Sequence, residues 1–224
     1  VLCLVRGGEK PDLAEPMVTY AALGGIIMAR LGYLLTLEEG FWLHPFESIT
    51  GGAGFVFYWG FIGGAGAVWL LLKRHGRPFM KFADLTAPSL ALGYAIGRIG
   101  CQLSGDGDYG TQSDLPWAMG YQTGVVPPIP AGSLVHPAPV YETLITLCIA
   151  LFLVKMLNRR PSYATGTVFG TYLLLSGIER FLIEFVRIEP VIFLSMTQAQ
   201  LVAVALMLIG MLLILYRAVR AHAV

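Results

Sequence analysis

ATGTVFGTYLLLSGIERFLIEF, residues 164–185, is the stretch on which the fold turns. It is apolar for most of its length, and a membrane-crossing helix needs ~20 mostly apolar residues. Near its end sits Arg180, in Gly177-Ile178-Glu179-Arg180-Phe181. An arginine inside a span costs roughly 2.5–3.5 kcal/mol on insertion scales. Gly97-Arg98-Ile99-Gly100 places a second arginine near the end of another apolar stretch. A chain that keeps both, with Glu184 and Arg187 following Arg180, uses them to hold something negative within the membrane. An anionic lipid headgroup is the natural candidate.

Working outward, the whole chain is apolar. Of its 224 residues, 56% are hydrophobic and only 13% are charged. An ordinary soluble domain is about 25% charged. Six stretches qualify as spans: about Met17–Thr36, Gly52–Leu72, Thr86–Leu103, Pro139–Leu157, Ala164–Phe185 and Ser195–Tyr216. The third and fourth are the weakest by hydropathy alone. The expected fold class is therefore all-α, a polytopic integral membrane helical bundle. Residues 1–224 are read as one transmembrane domain.

The charges sort by side. Arg6 and Lys10 precede the first span; Lys73, Arg74, Arg77 and Lys81 follow the second. Lys155, Arg159 and Arg160 follow the fourth, and Arg217 and Arg220 follow the sixth. With alternating spans, these eleven of the fifteen lysines and arginines share one face, which the positive-inside rule makes cytoplasmic. Arg30, Arg98, Arg180 and Arg187 lie inside spans or at their outer ends. The other face collects Glu38, Glu39, Glu47, Asp106, Asp108 and Asp114. Val1–Val5 reads as the tail of an earlier span. A signal peptide fits poorly, because no small-residue cleavage site follows a basic start. Cys3, Cys101 and Cys148 are scattered, with neither a disulfide framework nor metal-ligand spacing. No cofactor, no metal and no nucleic-acid partner is expected. No repeated filter pattern suggests a channel.

The longest loop, about Ser104–Ala138, lies on the outer face and is rich in Gly, Pro, Asp and Ser. Loops of that length are functional or disordered; joining two spans with polar outer ends, this one reads as functional. Phe41, Trp42, Trp117 and Tyr121 suit an interfacial aromatic belt. Gly60 and Gly64 form a small-xxx-small pair for close helix packing.

Arg180, Glu184 and Arg187 are spaced four and three apart, on one helical face. Such a set neutralises itself in part and leaves about one positive charge. The plainer alternative for Glu184 and Arg187 is an ion-pair network locking the helix ends. Arg30 pairs with a carboxylate such as Glu142, or snorkels. Arg98 is followed by Cys101, Gln102, Ser104, Asp106 and Asp108. Guanidinium groups bind phosphate in a two-pronged fashion, so two arginines from different helices form a clamp for a phosphodiester. His136-Pro137-Ala138-Pro139-Val140-Tyr141-Glu142 opens the fourth span with an imidazole, a phenol and a carboxylate. His136 is a candidate acid/base or headgroup contact.

These motifs resemble the prolipoprotein diacylglyceryl transferases, bacterial inner-membrane enzymes. Ala29-Arg30-Leu31-Gly32-Tyr33 is similar to the family's G-R-I-G-Y. Tyr58-Trp59-Gly60-Phe61-Ile62-Gly63 resembles H-G-G-L-I-G. Gly97-Arg98-Ile99-Gly100 opens the signature G-R-I-G-N-F-x-N-G-E. Ser113-Asp114-Leu115-Pro116-Trp117 resembles T-D-L-P-W, and His136-Pro137 with Tyr141-Glu142 resembles H-P-x-Q-x-Y-E. Gly177 through Arg187, then Ser195-Met196-Thr197-Gln198, resemble G-x-x-R-F-x-x-E-x-x-R and S-M-G-Q. The family has seven spans with an outside N-terminus, which implies one span before Val1.

The resemblance implies transfer of the diacylglyceryl group of phosphatidylglycerol to the lipobox cysteine thiol of a lipoprotein precursor, with release of glycerol phosphate. It implies an inner-membrane site facing the periplasm, with residues 104–138 as a periplasmic loop. It assigns catalysis to Arg98, Arg180, Tyr58, His136 and Glu142. Substrate contacts fall to Arg98, Arg180, Arg187, Glu184, Tyr141, Cys101, Asp106 and Arg30. The departures are specific. Tyr58 stands where the family has histidine, a candidate base. Cys101 replaces the signature asparagine, Gln102 the phenylalanine, Ser104 the second asparagine and Asp106 the glutamate. Residues 105–110 carry one extra residue, and Pro139 replaces a glutamine. The alternatives are a divergent transferase with a similar phospholipid donor and another acceptor, or a non-catalytic lipid-binding or transport homologue.

Overall fold

The structure, a computed structural model, describes residues 3–4, 8–9, 11–36, 56–159 and 163–222. Six long helices dominate them. In chain order they are α1 (Ala14–Thr36), α2 (Phe57–Arg74), α3 (Phe79–Ser104), α4 (Ala138–Asn158), α5 (Thr167–Ile183) and α6 (Gln198–His222). Two short strands, β1 (Val191–Phe193) and β2 (Met196–Thr197), pair antiparallel between α5 and α6. Each helix overlaps an expected span, with α3 beginning before Thr86 and α6 running on past Tyr216. Glu38, Glu39, Phe41, Trp42, Glu47 and the first residues of the second expected span lie outside the described residues, as do Arg6, Lys10 and Arg160.

Among the described helices, α1, α4 and α6 are long and apolar enough to cross a membrane. For α4 this corrects the low weight placed on Pro139–Leu157: its polar residues crowd the first turns, and the remainder is nearly all apolar. The other helices depart for visible reasons. α2 ends in Lys73 and Arg74, and α5 has only 17 residues. α3 carries Lys81, Asp84 and Arg98 and holds Pro88 in its interior.

The chain divides into two compact units, Val1–Phe82 and Ala83–Val224. In the first, α1 packs on α2. A Cβ added at Gly60 would lie 3.0 Å from the Ala29 Cβ, and one at Gly64 would lie 3.0 Å from the Ala21 carbonyl oxygen. The small-residue pair therefore lets two backbones approach, as its spacing suggested. Glu9, buried, is held by Lys81 Nζ at 2.5 Å and Arg77 Nη1 at 3.3 Å.

In the second unit, Ala87 and Ala91 of α3 meet Ile149, Ala150, Leu153 and Met156 of α4 and Val168 of α5. Small residues on α3 allow this close packing. Fully buried Asp84 accepts hydrogen bonds from the backbone N–H groups of Gly166 (2.7 Å) and Phe169 (2.8 Å). It satisfies donors that the start of α5 would otherwise leave orphaned. Thr143 Oγ1 donates to the Pro139 carbonyl at 2.7 Å, which quiets a hydroxyl that would be costly to bury alone. α5 then packs along α6, with Gly177 against Ala203 and Met207.

The loop between α3 and α4 is built, not loose. Tyr109 stacks on Tyr121 with ring centroids 5.1 Å apart, and both pack with Val135 as a small core. Backbone bridges join Gln112 and Met119 to Val135, and Gly110 to Arg187. Tyr121 is therefore an interior residue of the loop, which corrects its placement in an aromatic belt.

Candidate active site

Glu142 organises the site. Its side chain is fully buried in the first turns of α4, near a helix N-terminus that favours negative charge. Arg98 on α3 brings Nε to 3.2 Å from Glu142 Oε2. Arg180, in the last turn of α5, brings Nη1 to 3.4 Å from Oε1. Tyr94, one turn before Arg98, donates its hydroxyl to Oε1 at 2.9 Å, and the Arg98 guanidinium lies 4.9 Å from the Tyr94 ring centroid. Two arginines from separate helices thus converge on one carboxylate.

The network continues on both sides. Arg180 Nη2 contacts Glu184 Oε2 at 2.9 Å, and Arg187 Nε approaches the same oxygen at 3.8 Å. The expected Arg–Glu–Arg face is present. Thr197 Oγ1 on β2 donates to Glu184 Oε1 at 2.6 Å. Asp108 in the loop pairs with Arg98 and, through Oδ1, with Arg187 Nη2 at 2.7 Å. Arg187 also donates to the Asp108 carbonyl at 3.0 Å and contacts Glu189 at 2.9 Å. Burial pushes the Asp108 carboxyl up, but the hydrogen bond and charge of Arg187, joined by Arg98, outweigh it and hold the group below the ordinary carboxylate range.

The family resemblance assigns a substrate contact to Asp106 and none to Asp108. Asp106 is exposed and accepts the Asp108 backbone N–H at 3.3 Å. Gly105 and Gly107, both at positive φ (57° and 95°), turn the loop so that Asp108 reaches the arginines. Cys101 sits one turn from Arg98, whose Nη1 reaches its Sγ at 3.7 Å. Cys101, Asp106 and Asp108 offer ligand atoms within 4.8 Å of one another. Two arginines already occupy Asp108 there, and their charge opposes a cation.

His136 Nδ1 lies 3.3 Å from the Tyr141 hydroxyl, which accepts the Trp117 indole N–H at 2.7 Å. These three form a second polar set at the mouth of α4. Tyr58 on α2 and Arg30 on α1 belong to the first unit; the Arg30 guanidinium lies 5.3 Å from the Tyr33 ring centroid. A cavity of about 390 Å³ opens beside the end of α3, lined by Gln102, Met119, Tyr121 and the loop glycines. Sequence reasoning missed Tyr94 and Thr197 as partners of the cluster. Tyr94 was findable, since residues four apart on a helix share a face.

A mostly helical chain with three helices long and apolar enough to cross a membrane, and a buried arginine–carboxylate cluster, falls in the class of polytopic helical membrane proteins. Comparison with known proteins narrows the class. Residues 4–216 match the prolipoprotein diacylglyceryl transferase family. The chain is 34% identical over 212 residues to a phosphatidylglycerol–prolipoprotein diacylglyceryl transferase of Nitratidesulfovibrio vulgaris, covering 91% of this chain and 77% of that protein. It is 33% identical over 218 residues to the enzyme of that name from Cupriavidus metallidurans (94% and 77% covered). With that of Methylibium petroleiphilum it shares 37% over 187 residues (81% and 67%). The chain belongs to the prolipoprotein diacylglyceryl transferase family.

Proposed function

We propose that this chain transfers the diacylglyceryl group of phosphatidylglycerol to the cysteine thiol of a prolipoprotein, at the cluster centred on Glu142. One observation carries the reading: the guanidinium groups of Arg98 and Arg180 converge on a single fully buried carboxylate. A pair of arginines built around an anion is what a phosphodiester leaving group requires. Glu142 Oε2 has no hydrogen bond among the described residues although Arg98 Nε is 3.2 Å away. That ion pair is poorly aligned, so a phosphate oxygen in better geometry displaces it.

In this mechanism the acceptor thiolate attacks the glycerol carbon that bears phosphate. The carbon–sulfur bond forms as the carbon–oxygen bond breaks, and the electron pair leaves on glycerol phosphate, whose charge Arg98 and Arg180 neutralise. His136 takes the thiol proton. The Glu142 carboxylate is already engaged by two arginines and Tyr94, which leaves His136, outside that cluster, as the base. Tyr141 and Trp117 orient the imidazole.

The test is purified protein in phosphatidylglycerol nanodiscs with a lipobox peptide. The expected result is a peptide mass increase equal to one diacylglyceryl group, matched by released glycerol phosphate. Release without a peptide adduct would move the acceptor elsewhere; neither product would overturn the reading. The site faces the periplasm from a bacterial inner membrane, because the basic residues around residues 73–81 and 155–160 keep those loops cytoplasmic. Impermeant thiol labelling of intact cells should reach a cysteine placed at Ser133 and not one at Gly76; labelling of Gly76 would reverse the orientation.

A further inference from the structure

The hairpin between α5 and α6 carries four consecutive apolar residues, Val191, Ile192, Phe193 and Leu194, each 60–71% exposed. In a strand, successive side chains point to opposite faces. A hairpin lying on protein therefore buries one face and exposes a polar one. Here β1 is apolar and open on both faces, while on β2 Met196 is half-buried and Thr197 is buried at the root. Water on either side would be unfavourable, so the segment is made for an apolar medium that surrounds it. The surface is also continuous with membrane-facing protein. Phe185 and Ile188 lead into it, 67% and 63% exposed, and the apolar span Gln198–Val219 follows it directly.

Its depth is limited from two sides. A two-stranded sheet has open edges, whose unpaired backbone groups do not occur bare in the hydrocarbon core. Glu189 and Arg187 stand at its root. Both features hold it at the level of the headgroups and upper acyl chains, where short apolar insertions lie. The turn is a tight one, with Leu194 and Ser195 both in the left-handed region (φ 49° and 56°), and it puts a leucine at the tip. The hairpin also has a firm footing: Thr197 on β2 donates to Glu184, and Glu184 holds Arg180.

We propose that residues 191–197 form a wedge seated in the interfacial zone of the bilayer, its apolar tip among phospholipid acyl chains, and that its footing on Glu184 holds Arg180 at the edge of the lipid layer from which the donor enters. The lipid contact stands independently of the transferase reading; the effect on transfer rests on it. The occupant is lipid and not a polypeptide, because the apolar surface covers both faces of β1, continues over Leu194 at the tip and joins that of a span, whereas a docked peptide covers one face.

The experiment places p-benzoylphenylalanine at Phe193 in the full chain, illuminates intact membranes and identifies the adduct by mass. A phospholipid adduct is expected. A polypeptide adduct, or none, overturns the wedge. Phe193→Asp and Leu194→Asp should slow transfer from phosphatidylglycerol in vesicles several-fold, yet leave transfer from the same lipid in detergent micelles unchanged. Equal loss in both settings would reduce the hairpin to a structural part. If the lipid adduct forms while the wild type modifies no thiol, the wedge stands and the transferase reading falls. If the adduct is absent while the wild type transfers, the wedge alone fails.

Discussion

Replacing Glu142 by glutamine keeps the shape of the side chain and removes its charge. Its carboxylate sits 3.2 Å from Arg98 Nε and 3.4 Å from Arg180 Nη1, fully buried, and accepts the Tyr94 hydroxyl at 2.9 Å. Breaking a buried ion pair by removing one partner costs about 3–5 kcal/mol, because the other charge is left uncompensated. Each arginine here keeps a second carboxylate, Asp108 for Arg98 and Glu184 for Arg180. The loss therefore falls at the low end, about 3 kcal/mol. For a chain of this size that lowers Tm by roughly 6–12 °C.

The charge balance adds a sharper consequence. Arg98, Arg180 and Arg187 face Asp108, Glu142, Glu184 and, at the outer edge, Glu189, so three positive charges meet four negative ones. Glu142→Gln removes one negative charge from beside Arg98 and Arg180. Glycerol phosphate should then bind the variant more tightly than the wild type and restore its stability. A ligand at a hundred times its Kd contributes ~2.7 kcal/mol, which nearly recovers the loss. Thermal melts of both proteins in the same detergent, with and without glycerol phosphate, measure this. Equal stabilisation of the two proteins by the anion would refute the view that Glu142 occupies the phosphate position. An unchanged Tm in Glu142→Gln would refute the buried ion pair itself.

Three further outcomes follow from the same geometry. Arg180→Ala should abolish transfer in the nanodisc assay, and Arg180→Lys should remain poor because a point charge cannot replace the guanidinium fork; near-normal turnover in Arg180→Ala would refute the clamp. Asp108 has a depressed pKa in the folded protein, so its contribution is present above its unfolded value of about 4 and is lost as pH falls through the folded value. Wild type should therefore lose more stability than Asp108→Asn below about pH 4, read as Tm against pH, and parallel curves would count against the anchor. Tyr58→Phe should lower transfer modestly and Tyr58→His should be tolerated, since a neutral phenol is a poor proton acceptor; complete loss in Tyr58→Phe would make the phenol the acid/base.

How far the sequence carried this picture depends on whether each feature is local. Helices α1, α4 and α6 follow from apolar runs long enough to span, while α2, α3 and α5 coincide with shorter or charge-bearing ones. Arg180, Glu184 and Arg187 were legible as a set because their spacing along one helix decides their neighbours. The pairing of Arg98 with Glu142 was not, because it depends on how α3 lies against α4. That packing is set by Ala87 and Ala91, whose small side chains carry no sign of what their closeness brings together further along the helix at Arg98. The choice between Asp106 and Asp108 was illegible for another reason. Both carboxylates follow Arg98 at plausible distances, and the family signature laid on Gly97–Asp106 puts its glutamate on Asp106. The decision lies in backbone torsions: Gly105 and Gly107 take positive φ, turn the chain twice, and leave Asp106 in the open and Asp108 against Arg98 and Arg187. A side chain at Gly107 would oppose its φ of 95° and meet Val126 at 3.3 Å. The loop's glycines are thus part of the site's charge arrangement, although none of them touches an arginine through a side chain.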